Sequence, residues 1–166
     1  MKIAILYGTK YGTTEKVVEL ISKSIEKLSE DNNREIDLET INLKDKNDVN
    51  LDYDTLIIGS SIYMGRIRKE VKKFLKKNKD TLIKKDLALF ICGCSEEEGI
   101  KQIDKTFPSE IVNHAMATAF ILGEFDLDKM GFFDRKIAQS IIKGSKKEFE
   151  IDNAAIEEFV EKINFE

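Results

Sequence analysis

A loop of glycines and threonines follows the first apolar segment of the chain, Lys2–Tyr7, and precedes a helical segment. The beginning of a helix has unpaired backbone N–H groups and the positive end of the helix dipole, so it attracts a phosphate. Gly8 and Gly12 allow a tight turn close to an anion, and the threonine hydroxyls can donate to its oxygens. The candidate phosphate-binding residues are Thr9, Lys10, Tyr11, Gly12, Thr13 and Thr14.

The loop matches neither of two common nucleotide-binding patterns. It lacks the Gly-Lys-Ser/Thr of a Walker loop and the GxGxxG of a dinucleotide fingerprint. It therefore predicts a phosphate that is bound but not transferred. An ordinary strand-to-helix turn, with Thr13 capping the helix, is the alternative interpretation.

Five strand-like segments alternate with helical segments along the chain. Four of them are almost continuously apolar, as in parallel strands covered on both faces, and the second alternates like an edge strand. The pattern predicts an α/β fold with a doubly wound, five-stranded parallel sheet of order 2-1-3-4-5 and helices on both faces. The predicted strands are Lys2–Tyr7, Glu35–Ile41, Thr55–Gly59, Leu87–Cys92 and Met116–Leu122, and the helices are Thr14–Leu28, Arg66–Asn78, Glu98–Lys105 and Ala154–Asn164.

Ligands of such sheets bind beyond the carboxyl ends of the strands, where the strand order reverses. With this order the point lies between strands one and three, so the loop at Gly8–Thr14 meets the loops that follow strands three and four. Both of those loops are also rich in glycine and serine. They add the candidate binding residues Ser60, Ser61, Ile62, Tyr63, Met64, Gly65, Gly93, Cys94 and Ser95.

The segment 126–150 is not needed by a minimal five-stranded fold. Its apolar residues are spaced as in a short amphipathic helix. We expect that helix to pack in the core; a dimer or membrane-surface contact, or a role in lining a substrate site, are the alternatives. The apolar residues are Phe132, Phe133, Ile137, Ile141 and Ile142.

Length and charge limit the possible functions. The 166 residues show no linker-like stretch, which predicts a single domain over 1–166. The net charge is −4 with acidic and basic residues interleaved, so nucleic acid is not an expected partner. The apolar runs are too short to span a membrane, and the N-terminal one is interpreted as a strand rather than a signal peptide. We therefore predict a cytoplasmic protein.

The two cysteines, Cys92 and Cys94, are separated by one residue. This spacing matches neither a zinc pair nor a CxxC redox motif, and no second cluster completes a metal site. We therefore predict no metal, and the sequence identifies no catalytic residue. The single histidine, His114, is expected to be a loop or packing residue.

The candidate residues give the chain a resemblance to flavodoxins over nearly its whole length. Flavodoxins carry Thr-x-Thr-Gly-x-Thr in the phosphate loop, and this chain has Thr9-Lys10-Tyr11-Gly12-Thr13-Thr14, with Tyr11 in place of a hydroxyl donor. Met64-Gly65 resembles the turn that flavodoxins place against the flavin N5, where a glycine permits a peptide flip. The resemblance implies a flavodoxin-like fold, FMN as cofactor, and backbone N–H groups of Gly93 to Ser95 bonding the flavin ring.

Three segments resemble the subfamily of the menaquinone-dependent protoporphyrinogen dehydrogenase. The first is the phosphate loop, in which that subfamily also has a residue without a hydroxyl donor of the usual kind before the glycine, followed by x-Thr, as in Tyr11-Gly12-Thr13-Thr14. The others are the loop Gly59–Gly65, which reads Gly-Ser-Ser-Ile-Tyr-Met-Gly, and Phe133-Asp134-Arg135 after strand five. That enzyme has a longer, basic insertion after strand four, whereas this chain has the acidic residues Glu96–Glu98. Glutamates there would repel the two propionates of protoporphyrinogen.

Three functions follow as hypotheses. The first is an FMN-binding protein that carries electrons between redox partners, with Glu96–Glu98 lowering its second reduction potential. The alternative is an enzyme that oxidises protoporphyrinogen IX with FMN and passes the electrons to a quinone. A signalling or scaffold domain without a flavin is the third, because fold alone does not decide function.

Overall fold

The apolar segments of the chain form the predicted parallel sheet. A computed structural model of the protein describes residues 1–46, 48–94, 99–145, 149–163 and 165. The strands are β1 Lys2–Gly8, β2 Asp37–Asn42, β3 Thr55–Tyr63, β4 Arg66–Ile67, β5 Asp86–Gly93 and β6 Ala117–Leu122. The helices are α1 Thr13–Asp31, α2 Lys69–Leu82, α3 Gly99–Thr106, α4 Ser109–His114, α5 Phe132–Gly144 and α6 Asn153–Glu161, with a 3-10 turn at Leu127–Lys129.

Five parallel strands lie in the order β2-β1-β3-β5-β6, and β4 pairs with β3 outside this row. Because β4 is the fourth strand along the chain, this is the predicted order 2-1-3-4-5 with one short strand added. The parallel register places Gly8 beside Ser60 and Ser61 beside Cys92. The carboxyl ends of β1, β3 and β5 therefore lie at one edge of the sheet.

The short strand β4 was not predicted, and it shifts two predicted boundaries. β3 continues to Tyr63 instead of ending at Gly59, and α2 begins at Lys69 instead of Arg66. A two-residue turn joins β3 to β4, with Met64 at φ 48° and Gly65 at φ 70°. Two consecutive residues with positive φ make the hairpin turn that matches the twist of the paired strands.

Side chains alternate between the two faces of the sheet, and each face has its own core. From β1, Ile3 and Ile5 point to the face covered by α1 and α6. Ala4 and Leu6 point to the opposite face, covered by α2, α3 and α4. Burial on both sides explains why these strands are almost continuously apolar in sequence.

The segment 126–150 forms the predicted amphipathic helix, but the expectation that it packs in the core was wrong. Phe132 and Phe133 are 67% and 78% exposed, and Ile137, Ile141 and Ile142 are also exposed. Within α5, all of which lies in the described part of the chain, Ala138 is the single buried residue. Helix α5 therefore contributes little to either core.

Close packing between β3 and β5 makes Gly59 sensitive to substitution. A Cβ at Gly59 would lie 1.9 Å from the Phe90 Cζ atom, whereas one at Gly144 would meet no atom within 4 Å. We expect Gly59→Ala to lower the free energy of unfolding in urea by about 3 kcal/mol, because overpacking forces a core ring to move. Gly144→Ala, near the end of α5, is the control and should change it by less than about 1 kcal/mol. Equal effects of the two substitutions would contradict this packing.

Candidate functional site

A cavity of about 340 Å³ opens at the edge of the sheet where β1, β3 and β5 end. All three loops predicted to meet there contribute to its wall. Of the candidate residues, those that line the cavity are Thr9, Lys10, Tyr11, Thr13, Ser61, Ile62, Tyr63, Met64, Gly93 and Cys94. The remaining candidates, Gly12, Thr14, Ser60 and Gly65, lie in the same loops without lining it, and Ser95 and Glu96–Glu98 lie outside the described residues.

The first loop ends in a tight turn at Gly12, directly before α1. Gly12 precedes the helix with φ 90°, and its backbone N–H donates to Thr9 Oγ1 at 3.0 Å. The first backbone bond of the helix runs from the Lys16 N–H to the Gly12 carbonyl at 3.1 Å. The N–H groups at the start of α1 therefore have no acceptor within the helix. They are the groups that bind phosphate at other helix N-termini.

The threonine hydroxyls of this loop differ in their availability to a ligand. Thr13 donates to the Glu124 carbonyl oxygen at 3.1 Å, so its proton is already used. Thr14 is fully buried, with the Cys92 sulfur beside its hydroxyl and no nitrogen or oxygen partner for it in the described part of the chain. Thr9 accepts from the backbone and keeps its own proton for a ligand.

Two serines of the second loop have different roles. Ser60 is buried, accepts the backbone N–H of Arg68 at 2.9 Å and so fixes the chain just before α2. Ser61 lines the cavity, and its buried Oγ has no hydrogen-bond partner among the residues that the structure describes. A buried hydroxyl without a partner is unfavourable. Ser61 Oγ is therefore suited to a polar group of a ligand.

The third loop places two neutral thiols at the site. Burial raises the pKa of the Cys92 thiol to about 12. Cys94 is partly buried and lines the cavity, and burial raises the pKa of its thiol as well. Both thiols therefore stay protonated near neutral pH, which makes them poor nucleophiles.

A fourth part of the wall follows β6 and was not among the candidate binding residues, although lining a substrate site was one alternative for segment 126–150. The backbone N–H of Gly123 donates to the Gly93 carbonyl at 2.9 Å and holds this part of the chain beside the third loop. The missed wall residues are Gly123, Glu124, Phe125, Met130, Asp134, Ile137, Ala138 and Ile141. The helical periodicity of α5 was visible in the sequence, but the surface that its apolar face meets was not.

Asp134 of α5 joins the first two loops. Lys10 Nζ lies 2.8 Å from Asp134 Oδ2, and the hydroxyl of Tyr11 donates to the same oxygen. The hydroxyl of Tyr63 donates to the other carboxylate oxygen, Oδ1. Lys10 Nζ also lies 3.3 Å from the centre of the Tyr63 ring, close enough for a cation–π interaction. This cluster of four side chains, Lys10, Tyr11, Tyr63 and Asp134, links elements that are far apart in sequence.

Apolar side chains are exposed close to the cavity. Met64 at the tip of the β3–β4 hairpin is 80% exposed, and Phe132 and Phe133 begin α5. Lys136 Nζ lies 4.5 Å from the centre of the Phe132 ring. No helix in the described residues is long and apolar enough to cross a membrane.

Many solved structures share this fold, among them the following three. An oxidoreductase from Corynebacterium diphtheriae is 12% identical with a TM-score of 0.58, and the match covers 98% of this chain and 96% of that one. A flavodoxin from the domain Archaea is 20% identical with a TM-score of 0.52, covering 86% and 99%. Rubredoxin oxygen:oxidoreductase from the anaerobe Desulfovibrio gigas is 14% identical with a TM-score of 0.52, covering 96% of this chain. This chain spans only 36% of that oxidoreductase.

The sequence identities in these matches are low, so they establish the fold alone. A search among curated proteins finds no match. The family model described as a flavodoxin domain, in contrast, matches residues 4–152, which is most of the chain. The chain therefore belongs to the flavodoxin-domain family.

Proposed function

We propose that this protein binds FMN and carries electrons between redox partners. FMN has a phosphate at one end and a flat ring with apolar faces at the other. The observation that carries the proposal is a site with the same two parts, since the anion-binding start of α1 adjoins the mostly apolar cavity at the ends of β1, β3 and β5. Membership of the flavodoxin-domain family supports the same cofactor.

Each part of FMN has a matching group in the protein. The free N–H groups at the start of α1 and the Thr9 hydroxyl would hold the phosphate. Ile62 and Cys94 line the cavity where the ring would lie, and the Ser61 hydroxyl supplies an unpaired polar group. The bound cofactor supplies one- and two-electron transfer, and the protein orients it and limits access of water.

The charges beside the cavity are arranged in pairs. Lys10 pairs with Asp134, and Lys16 pairs with Glu124. These two lysines are therefore not unpaired charges that attract the phosphate. The phosphate would instead interact with the backbone dipoles at the start of α1. The lowering of the second reduction potential by Glu96–Glu98 stays a prediction, because these residues lie outside the described part of the chain.

Redox partners would contact Met64, Phe132 and Phe133, which are exposed. Large apolar side chains exposed to solvent are typical of protein interaction sites. These three residues lie on two segments that also line the cavity or adjoin its wall. A partner bound there would be close to the cofactor.

Oxidation of protoporphyrinogen with a quinone acceptor is the alternative function. Asp134 of the Phe133-Asp134-Arg135 segment lines the cavity, which favours a role for that segment at the site. The family match supports a flavodoxin domain without supporting this subfamily. Formation of fluorescent protoporphyrin that requires both the protein and FMN would establish the enzyme, and its absence would leave the electron carrier.

The cofactor can be tested by comparing FMN with riboflavin, which lacks the phosphate. Charge-assisted hydrogen bonds from the start of α1 should make FMN bind about 100-fold more tightly. Fluorescence quenching during titration of the purified protein measures both affinities. Gly12→Ala should reduce the preference, because φ 90° is strained for alanine. Equal affinities of the unmodified protein for the two flavins would contradict the phosphate site, and no binding of either would contradict the proposed function.

The rate at which the Cys94 thiol is alkylated tests whether the flavin ring occupies the cavity. Iodoacetamide reacts with thiolates, and because burial raises the pKa of Cys94, alkylation should be slow near pH 7 and accelerate as the pH rises. FMN at ten times its Kd should slow this reaction about tenfold at a fixed pH. The Cys94→Ser variant supplies the background from Cys92. An unchanged rate in a protein that has bound FMN would place the ring elsewhere.

A further inference from the structure

We infer that helix α5 is a cofactor-binding element, which Asp134 clamps onto the two main binding loops and whose inner face, Ile137, Ala138 and Ile141, covers the flavin ring. The inference rests on the proposed FMN function and adds residues to that site. It assigns Asp134 as the positioning residue of α5. It also assigns Ile141 as a direct contact of the ring.

The packing of α5 shows that the cores do not hold it in place. Ala138 is its one buried residue, in a helix that is described along its whole length. Ile137 and Ile141 line the cavity and keep substantial exposed surface. An apolar face of this kind is unfavourable in water and is stabilised by contact with another apolar surface.

Polar contacts at the first turn of α5 replace core packing. The Asp134 carboxylate accepts hydrogen bonds from Lys10, Tyr11 and Tyr63, and both of its oxygens take part. Its side chain is only 22% exposed, and hydrogen bonds to a partly buried charge are strong. Arg135 Nε donates to the Leu127 carbonyl at 2.8 Å and ties the same turn to the preceding segment.

The sequence of the third loop offers few side chains that could cover the ring. Residues 92–99 read Cys-Gly-Cys-Ser-Glu-Glu-Glu-Gly and contain no aromatic or branched aliphatic side chain. A flat apolar ring gains most when both faces are removed from water. Ile137, Ala138 and Ile141 of α5 supply apolar surface to the wall of the cavity.

A pair of neighbouring isoleucines tests the contact. Ile141 and Ile142 are 38% and 36% exposed, but only Ile141 lines the cavity. We expect Ile141→Ala to raise the Kd for FMN about tenfold, since it removes apolar surface that FMN would bury. Ile142→Ala should leave the Kd within about twofold, as expected when no ring contact is lost. Equal effects of the two substitutions would overturn the contact.

Asp134→Asn tests the clamp, with Asp128→Asn as the matched control. Asp128 is fully exposed and contacts Arg135 only at 3.9 Å, so its substitution changes the same charge close by. We expect Asp134→Asn to increase the rate constant of FMN dissociation about tenfold, because one charged partner of Lys10 is lost. Asp128→Asn should leave it unchanged. Equal rate constants in the two variants would overturn the clamp.

Hydrogen exchange separates this inference from the proposed function. In the full-length protein without added FMN, backbone amides of α5 should exchange faster in Asp134→Asn than in Asp128→Asn, while those of α1 stay unchanged. Unchanged protection of α5 would overturn the clamp even if FMN binds. If the unmodified protein does not bind FMN, the proposed function is refuted. The exchange experiment still tests the Asp134 clamp in that case, because it needs no FMN. Tyr63→Phe removes one donor to Asp134. It should also raise the exchange rate of the α5 amides, but by less than Asp134→Asn does.

Discussion

The parallel pairing of β1, β3 and β5 is the constraint on which the site depends. Each of these strands is buried on both faces and pairs with its neighbours in parallel, so the chain has to cross the sheet after it, through α1 after β1, α2 after β3, and α3 and α4 after β5. The five parallel strands then end at the same edge, and the register sets Gly8, Ser60, Ser61 and Cys92 beside one another there. The strand order reverses between β1 and β3. The helices that follow these two strands therefore cross on opposite faces of the sheet, which opens a space between the loops.

Much of this arrangement could be predicted from local sequence. Four continuous apolar runs and one alternating segment predicted the five parallel strands, and the glycines and threonines predicted the loop before α1. Strand β4 could not be predicted in this way, because it has two residues and depends on a turn with Met64 at positive φ. Serine after Gly59 is typical of a loop, whereas β3 continues because Ser60 is buried and accepts the N–H of Arg68.

The contribution of α5 to the cavity wall could not be predicted from local sequence patterns, for a different reason. Asp134 contacts Lys10, 124 residues away, and Tyr63, 71 residues away, and nothing near Asp134 in sequence indicates either partner. Periodicity identified the helix correctly because it depends only on neighbouring turns. It assigned the apolar face to the core because that is where most such faces are buried, and here the face adjoins a cavity instead.

The pairing of charges explains how such a site can hold a phosphate and an apolar ring together. Unpaired lysines would attract the phosphate, but they would also place a positive field beside the ring and favour its reduced, anionic form. Here Lys10 and Lys16 are each paired with a carboxylate from the chain after β6. In the proposed site, the attraction for phosphate would then come from the start of α1, whose dipole acts over a short distance. The carboxylates after β6, which pair with the two lysines, would limit the positive field beside the ring.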